Sequence, residues 1–215
     1  MKSVLLIGLG RFGRHMAMKF QEMHCEVLAI DHDEQRVNDI LPYVTNAQIG
    51  DSTNEQFIAS LGVRNFDVCV VAIGDNFQSS LETTSLLKEQ GAQLVVARAN
   101  RDVHAKFLLR NGADHVIYPE KQMAIRAAVR YGADNVYDYI QLTKEYSIYE
   151  TPTPAAWVGK TIIDLQVRQR YHINILAVKK DDLLEPLPPA DHTFRENESL
   201  LILGSNGNIE KFLHF

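Results

Sequence analysis

Cysteine is nearly absent: Cys25 and Cys69 are the only two in 215 residues, which argues against a disulfide framework or a thiolate metal site. Each lies in or beside an apolar run and reads as a small buried hydrophobe in a reducing compartment. No apolar run approaches the ~18 residues that a membrane-spanning helix needs. The chain opens directly on an apolar strand, with no charged leader ahead of it. A cytoplasmic protein without membrane insertion, peripheral to the membrane through a partner, is therefore expected. Basic excess is missing as well: 22 Lys and Arg stand against 27 Asp and Glu, and no basic cluster is present to neutralise phosphates. That argues against nucleic acid, and neither end offers the basic helix-turn-helix of a DNA-binding repressor. His15, His24, His32, His104, His115, His172, His192 and His214 show no metal spacing and read as surface or capping residues. There is no internal repeat, low-complexity tract or flexible linker.

What the sequence does contain is a regular alternation. Apolar runs SVLLIG, EVLAID, NAQIGD, DVCVVAIG, LVVARA and HVIYP are followed by amphipathic stretches at residues 11–23, 33–41, 54–61, 76–90, 102–111 and 120–131. Near-continuous Val, Ile, Leu and Ala mark strands buried on both faces, the signature of a parallel sheet. A Rossmann-like, doubly wound α/β domain over residues 1–132 follows. Residues 133–215 change rhythm and read as a small α+β subdomain. There, YIQLTKEYSIYETPTP reads as one half-exposed strand and a turn, and GKTIIDLQVRQRY as one helix. INILAVKK reads as a strand, DDLLEPLPPADHTFRENE as a hairpin and loop, SLLILGS as a last strand and NGNIEKFLHF as a last helix.

Gly8, Gly10 and Gly13 form G-x-G-x-x-G between a strand and a helix. The first allows a tight turn, the second a close approach of backbone to phosphate, and the third helix packing on the sheet. Asp31 ends the second strand, where a carboxylate accepts from ribose hydroxyls and repels a 2′-phosphate, disfavouring NADP; the alternative is a helix N-cap. Arg11 and Phe12 lie inside the loop, and Arg11 either meets a phosphate or is a solvated surface arginine. His32 stands beside Asp31. Asp51 and Ser52, in GDST, lie where an adenine edge would sit or cap the next helix. Ala72, Ile73, Gly74 and Asn76, in VAIGDN, face the glycine loop across the switch point, where Asp75 or Asn76 also suits a cap. Arg98 ends the fifth strand and suits a phosphate. Glu120 opens the sixth helix, as a divalent-cation ligand or a helix-terminal carboxylate. No catalytic set is visible: the second region has no His, Lys or Tyr constellation aimed at a nicotinamide.

LLIGLGRFGRHMA, EVLAID, GDST, FDVCVVAIGDNFQSSLETTSLLKEQG, VVARA and GADHVIYPE resemble the RCK/KTN (TrkA-N) domains of potassium-channel regulatory subunits. The tail from GKTIIDLQVRQRYHINILAVKKDD to ENESLLILGS is similar to the TrkA-C subdomain of that family, in its Ktr/Trk-type potassium uptake branch. The resemblance covers nearly the whole chain. It implies a non-enzymatic regulator whose dimers close into an octameric gating ring beneath an integral-membrane potassium-translocating subunit, with ATP and ADP, or NAD(H), as ligands. By position, Gly8, Gly10, Arg11 and Gly13 would hold phosphates, with Arg11 toward the terminal phosphate of ATP. Asp31 would hold the ribose, Asp51 and Ser52 the adenine, Arg98 the phosphate side, and Glu120 a divalent cation. Ile163, Arg168, Asn174, Ile175 and Pro188 fall where some members bind cyclic di-AMP. An NAD-dependent oxidoreductase is the alternative reading of the glycine loop with Asp31.

Overall fold

The computed structural model describes residues 1–181 and 183–213 and divides into two compact units, the first ending at Glu120 and the second beginning at Lys121. Asp182, His214 and Phe215 lie outside the described residues, so the readings that included them, a metal-free His214 and the end of the last helix, are not addressed.

The first unit contains β1 (Ser3–Ile7), α1 (Arg11–Glu22), β2 (Glu26–Asp31), α2 (Glu34–Ile40), β3 (Asn46–Ile49), α3 (Glu55–Ser60), β4 (Val68–Val71), α4 (Phe77–Glu89), β5 (Val95–Arg98), α5 (Asp102–Arg110) and β6 (His115–Ile117). Among the described residues the sheet runs β3-β2-β1-β4-β5-β6 with every neighbour parallel. The apolar runs explain this. Val4, Leu5, Leu6 and Ile7 are all buried, so β1 needs cover on both faces, and each such side chain contributes roughly 1.5–3 kcal/mol. Leu5 and Ile7 belong to one core beside Leu87 and Leu108, whereas Val4 and Leu6 belong to another beside Ala17 and Val37.

A further helix, α6 (Pro119–Gly132), contains the division between the units. The sequence placed the boundary after this helix because its beat matched the preceding βα units. Val129 and Ala133 instead pack on the core of the second unit, and Arg126 forks onto Asp138 at 2.9 and 2.5 Å.

The second unit contains β7 (Asp138–Gln141), β8 (Tyr146–Pro152), α7 (Ile162–Leu165), α8 (Val167–Tyr171), β9 (Ile173–Lys180), β10 (Leu183–Pro186), β11 (Glu198–Ser205) and α9 (Asn206–Leu213). The sheet order is β10-β9-β11-β8-β7, antiparallel throughout. Ser147, Tyr149 and Thr151 of β8 point to the buried side in strict alternation, as expected of a sheet with one wet face. Two expectations are corrected. The single strand is a hairpin, β7 pairing β8, whose turn is tied by the Thr143 hydroxyl accepting from the Glu145 and Tyr146 amides. The single helix is broken at Gln166, which adopts a left-handed conformation at φ 49°. That twist lets Leu165 and Val167, two apart, both face the core.

Cys69 is buried, which pushes its thiol up to about 12, but Cys25 is only half-buried. The histidines also depart from a uniform surface set. His104 has no exposed area, and His192 lies within 3.2 Å of the buried Glu198.

Candidate functional site

The carboxyl ends of parallel strands share one edge of the sheet, so the strand order also orders the loops. Asp51 follows β3, Asp31 ends β2, the glycine loop follows β1, Ala72–Asn76 follow β4, Arg98 ends β5 and Glu120 follows β6. Together they line a cavity of about 690 Å³. Asp51 and Asp31, with Arg36 beside the latter, therefore stand toward one end of the row, and Arg11, the α1 N-terminus, Asp75 and Arg98 occupy its middle and far side, where Glu120 adds a carboxylate paired with Arg98.

Gly8 has φ +95°, and a Cβ there would lie 3.1 Å from backbone atoms of Ala72 and Ile73. At Gly13 a Cβ would sit 1.9 Å from the Gly8 carbonyl oxygen, so helix and turn meet backbone to backbone. Gly10 differs: a Cβ would meet no protein atom within 4 Å. It occupies the N-cap of α1 without a side-chain cap, leaving the positive end of a 12-residue helix beside Arg11, Phe12 and His15 in the cavity wall.

Asp31 is 4% exposed. Its Oδ2 accepts the Leu9 N–H at 2.6 Å and its Oδ1 the Asp33 N–H at 3.0 Å, with His32 Nδ1 3.2 Å away. It thus pins the glycine loop to β2. The cap of α2 is Asp33, which accepts from the Gln35 and Arg36 amides, so Asp31 is free of that duty. Asp51 turns back onto Thr53, whose backbone N–H and then hydroxyl hold the carboxyl below its usual range. Ser52 shares a hydrogen bond of 2.8 Å with Thr83. The cap of α3 is Asn54, so neither Asp51 nor Ser52 plays that part. Asn76 does cap α4, accepting the Ser79 N–H at 3.0 Å.

Arg98 lies with its guanidinium carbon 5.5 Å from the Phe12 ring centroid and is hydrogen-bonded to the Glu120 carboxylate. Its Nε is buried and has no partner. The Glu120 carboxyl is held below the usual range, first by its own backbone N–H, then by Arg98, with the charge of Arg11 adding to the effect. Among the described residues no group of three or more His, Cys, Asp or Glu could hold a metal. A cation at Glu120 would rely on oxygens from a bound ligand, the mode in which one carboxylate and phosphates share a magnesium ion.

Comparison with known proteins now bears on this geometry. The TrkA-N domain model matches residues 4–119 and the TrkA-C domain model residues 147–215. Over 211 residues the chain is 40% identical to Ktr system potassium uptake protein C of Bacillus subtilis (strain 168), covering 98% of this chain and 96% of that one. The chain belongs to the TrkA-N/TrkA-C family of Ktr potassium uptake proteins. Ktr system potassium uptake protein A of the same organism is 41% identical over 213 residues, covering 98% and 95%. The GsuK channel bound to NAD shares the fold at a TM-score of 0.69 and 17% identity, over 99% of this chain and 39% of that chain.

In this Ktr family member the cavity has further walls outside the quoted motifs, Arg36 above all with His15 and Ser79, and it also takes in Thr53 of GDST and Asp75 of VAIGDN. His15 stands one helical turn beyond Arg11, and Arg36 lies in the first turn of α2, with Nη1 3.7 Å from Asp31 Oδ2. Charged helix residues are solvated by default, so neither stood out. In the second unit, Arg168 Nε donates to Asn174 Oδ1 at 2.8 Å. Ile163, 64% exposed, and Arg168 line a shallow cavity of about 290 Å³ with Gln166 and Ala190. Ile175 instead packs on the second core, and neither it nor Pro188 lines that cavity. No helix among the described residues is long and apolar enough to cross a membrane.

Proposed function

We propose that this chain is a nucleotide-sensing regulatory subunit of a Ktr-type potassium uptake system, one that binds ATP and ADP without turning them over. The observation that carries the reading is one cavity in which Asp51 and Asp31 stand on the β3 and β2 side, while Arg11, the uncapped α1 N-terminus and Arg98, itself paired with Glu120, stand beyond them. A nucleotide has the complementary order, hydroxyl and amine donors at one end and anionic phosphates at the other. Asp51 and Ser52 suit the adenine and Asp31 with His32 the ribose. The glycine loop with Phe12 suits the phosphates, and Ala72, Ile73, Gly74 and Asn76 the opposite wall. Arg11 suits the terminal phosphate, bidentately. Glu120 would share a divalent cation with those phosphates. The named potassium uptake relatives support the physiological setting, and the NAD-bound GsuK channel supports a dinucleotide as a second ligand of the same fold.

A ligand shifts a conformational equilibrium only through differential affinity for the two states. ATP and ADP differ by one phosphate, so an arginine reaching that group provides the difference. Dimers closing into a ring of eight under a membrane potassium-translocating subunit would add small biases into a large one. Arg168, Asn174 and Ile163 are the residues of the second unit suited to cyclic di-AMP. Calorimetric titration of the purified chain with ATP, ADP, NADH and cyclic di-AMP tests this. Saturable ATP and ADP binding, with both nucleotides recovered intact, is the expected result. Steady hydride transfer from NADH to an added acceptor would instead favour an oxidoreductase, and a native mass showing only monomer at micromolar concentration would remove the ring.

A further inference from the structure

Among the described residues His104 is the one histidine with no exposed area, and both of its ring nitrogens are engaged in hydrogen bonds. Its Nδ1 lies 3.2 Å from Asn100 Oδ1 and its Nε2 3.1 Å from the hydroxyl of Ser80, itself fully buried. Asn100 completes the chain by donating from Nδ2 to the carbonyl oxygen of Gly74 at 2.7 Å. Gly74 lies in the cavity wall between β4 and α4, while Asn100 lies between β5 and α5. The imidazole therefore joins α4, through Ser80, to the segment after β5, through Asn100, and fixes a backbone carbonyl of the proposed ligand wall.

The network determines the tautomer. The Asn100 amide must present its nitrogen to the Gly74 carbonyl, so its oxygen faces His104. Nδ1 must then carry the proton, and Nε2 must accept from the Ser80 hydroxyl. Phe77 closes the ring in edge-on at 5.0 Å, and the guanidinium of Arg101 sits over Phe77. A second proton on the ring would sit at Nε2, where the buried Ser80 hydroxyl now donates and would have to turn its own proton away, beside that fixed positive charge.

We infer that His104, held as the neutral Nδ1–H tautomer, is a positioning residue that sets the Gly74 loop for the nucleotide through Asn100. The inference rests on the nucleotide-binding reading for its effect on affinity, but not for its effect on the loop. His104→Leu leaves the fully buried Ser80 hydroxyl without its ring acceptor and releases the exposed Asn100 amide from the ring that holds it. His104→Gln can restore one donor and one acceptor.

The test compares the full chain with both variants in two ways: amide hydrogen exchange across residues 73–77, and ATP affinity well below the melting temperature. His104→Leu is expected to speed exchange there and to weaken ATP on the order of tenfold, with His104→Gln recovering most of both. Wild-type exchange at residues 73–77 in His104→Leu, or wild-type ATP affinity despite faster exchange, overturns the inference. Should His104→Leu not fold, Asn100→Asp replaces it. That change keeps the acceptor for His104 but sets a carboxylate against the Gly74 carbonyl, and unchanged exchange would again overturn the inference. Absence of any nucleotide binding by the unsubstituted chain defeats the functional reading instead, and the exchange comparison still decides the loop. A ring nitrogen spectrum of the unsubstituted chain showing the Nε2–H tautomer would also contradict it.

Discussion

The two sheets of this chain solve the same burial problem in opposite ways. In the parallel sheet every βα loop emerges on one edge, so six loops converge and a cavity of about 690 Å³ comes with the topology. In the antiparallel sheet successive loops leave by alternate edges, and Trp157 packs against Tyr171, Phe194 and Phe212 at centroid distances of 5.2 to 5.4 Å. The first unit concentrates glycine where backbone meets backbone, and the second concentrates aromatic rings where side chains meet. The second unit's cavities beside Trp157 and beside Arg168 are smaller than that of the first, about 370 and about 290 Å³.

That contrast can be broken by substitution. Trp157→Ala should show the largest effect, about 3–5 kcal/mol lost from the second unit, with ATP binding by the first retained. Calorimetric melting in which both units fail together at a lowered temperature would show that they do not behave as separate cores. Gly13→Ala comes next, about 1–3 kcal/mol from the first unit, because its methyl would meet the Gly8 carbonyl. Gly10→Ala should leave the melting temperature of the ligand-free protein almost unchanged and still weaken ATP, since only a ligand would meet that methyl. Equal stability losses at the two glycines would refute the division of labour.

Mild acid should weaken the first unit through His104, whereas the lowered carboxyls Asp138 and Asp164 make the second unit sensitive only at lower pH. Burial, with Arg101 adding to it, holds His104 below the ordinary histidine range. The unfolded chain takes up a proton near pH ~6.5 that the folded chain refuses, so stability falls as pH drops from there toward the lower folded value. The slope is at most ~1.4 kcal/mol per pH unit for one proton, and His104→Gln should flatten it in urea titrations between pH ~7 and ~5. The helix caps should give the smallest effect. Asn54→Ala in the first unit and Thr161→Ala in the second remove side-chain caps and should each lose about 1 kcal/mol. Only Asn54→Ala, which follows Asp51 and Thr53 of the cavity wall, should also change ATP affinity.

The first unit was almost fully legible because parallel strands buried on both faces write themselves as unbroken apolar runs, and glycines mark the turn between β1 and α1. The second was less so. The turn between β7 and β8, Thr143 to Glu145, contains no Gly, Pro or Asn. The break between α7 and α8 rests on a glutamine in a conformation that disfavours a Cβ by about 1–2 kcal/mol. Tertiary packing of Leu165 and Val167 overrides that local preference. Within the site, residue types at strand ends could be read, but partners could not. Asp31 bonding Leu9, Arg98 engaging Glu120, and His104 joining Ser80 to Asn100 all link residues distant in sequence.

The most direct test of nucleotide sensing compares ATP and ADP affinities of the unsubstituted chain and Arg11→Ala by calorimetry under one buffer. Preferential weakening of ATP, with ADP largely unaffected, is the predicted result. An equal loss for both nucleotides, or none for either, would contradict a sensor built on the terminal phosphate.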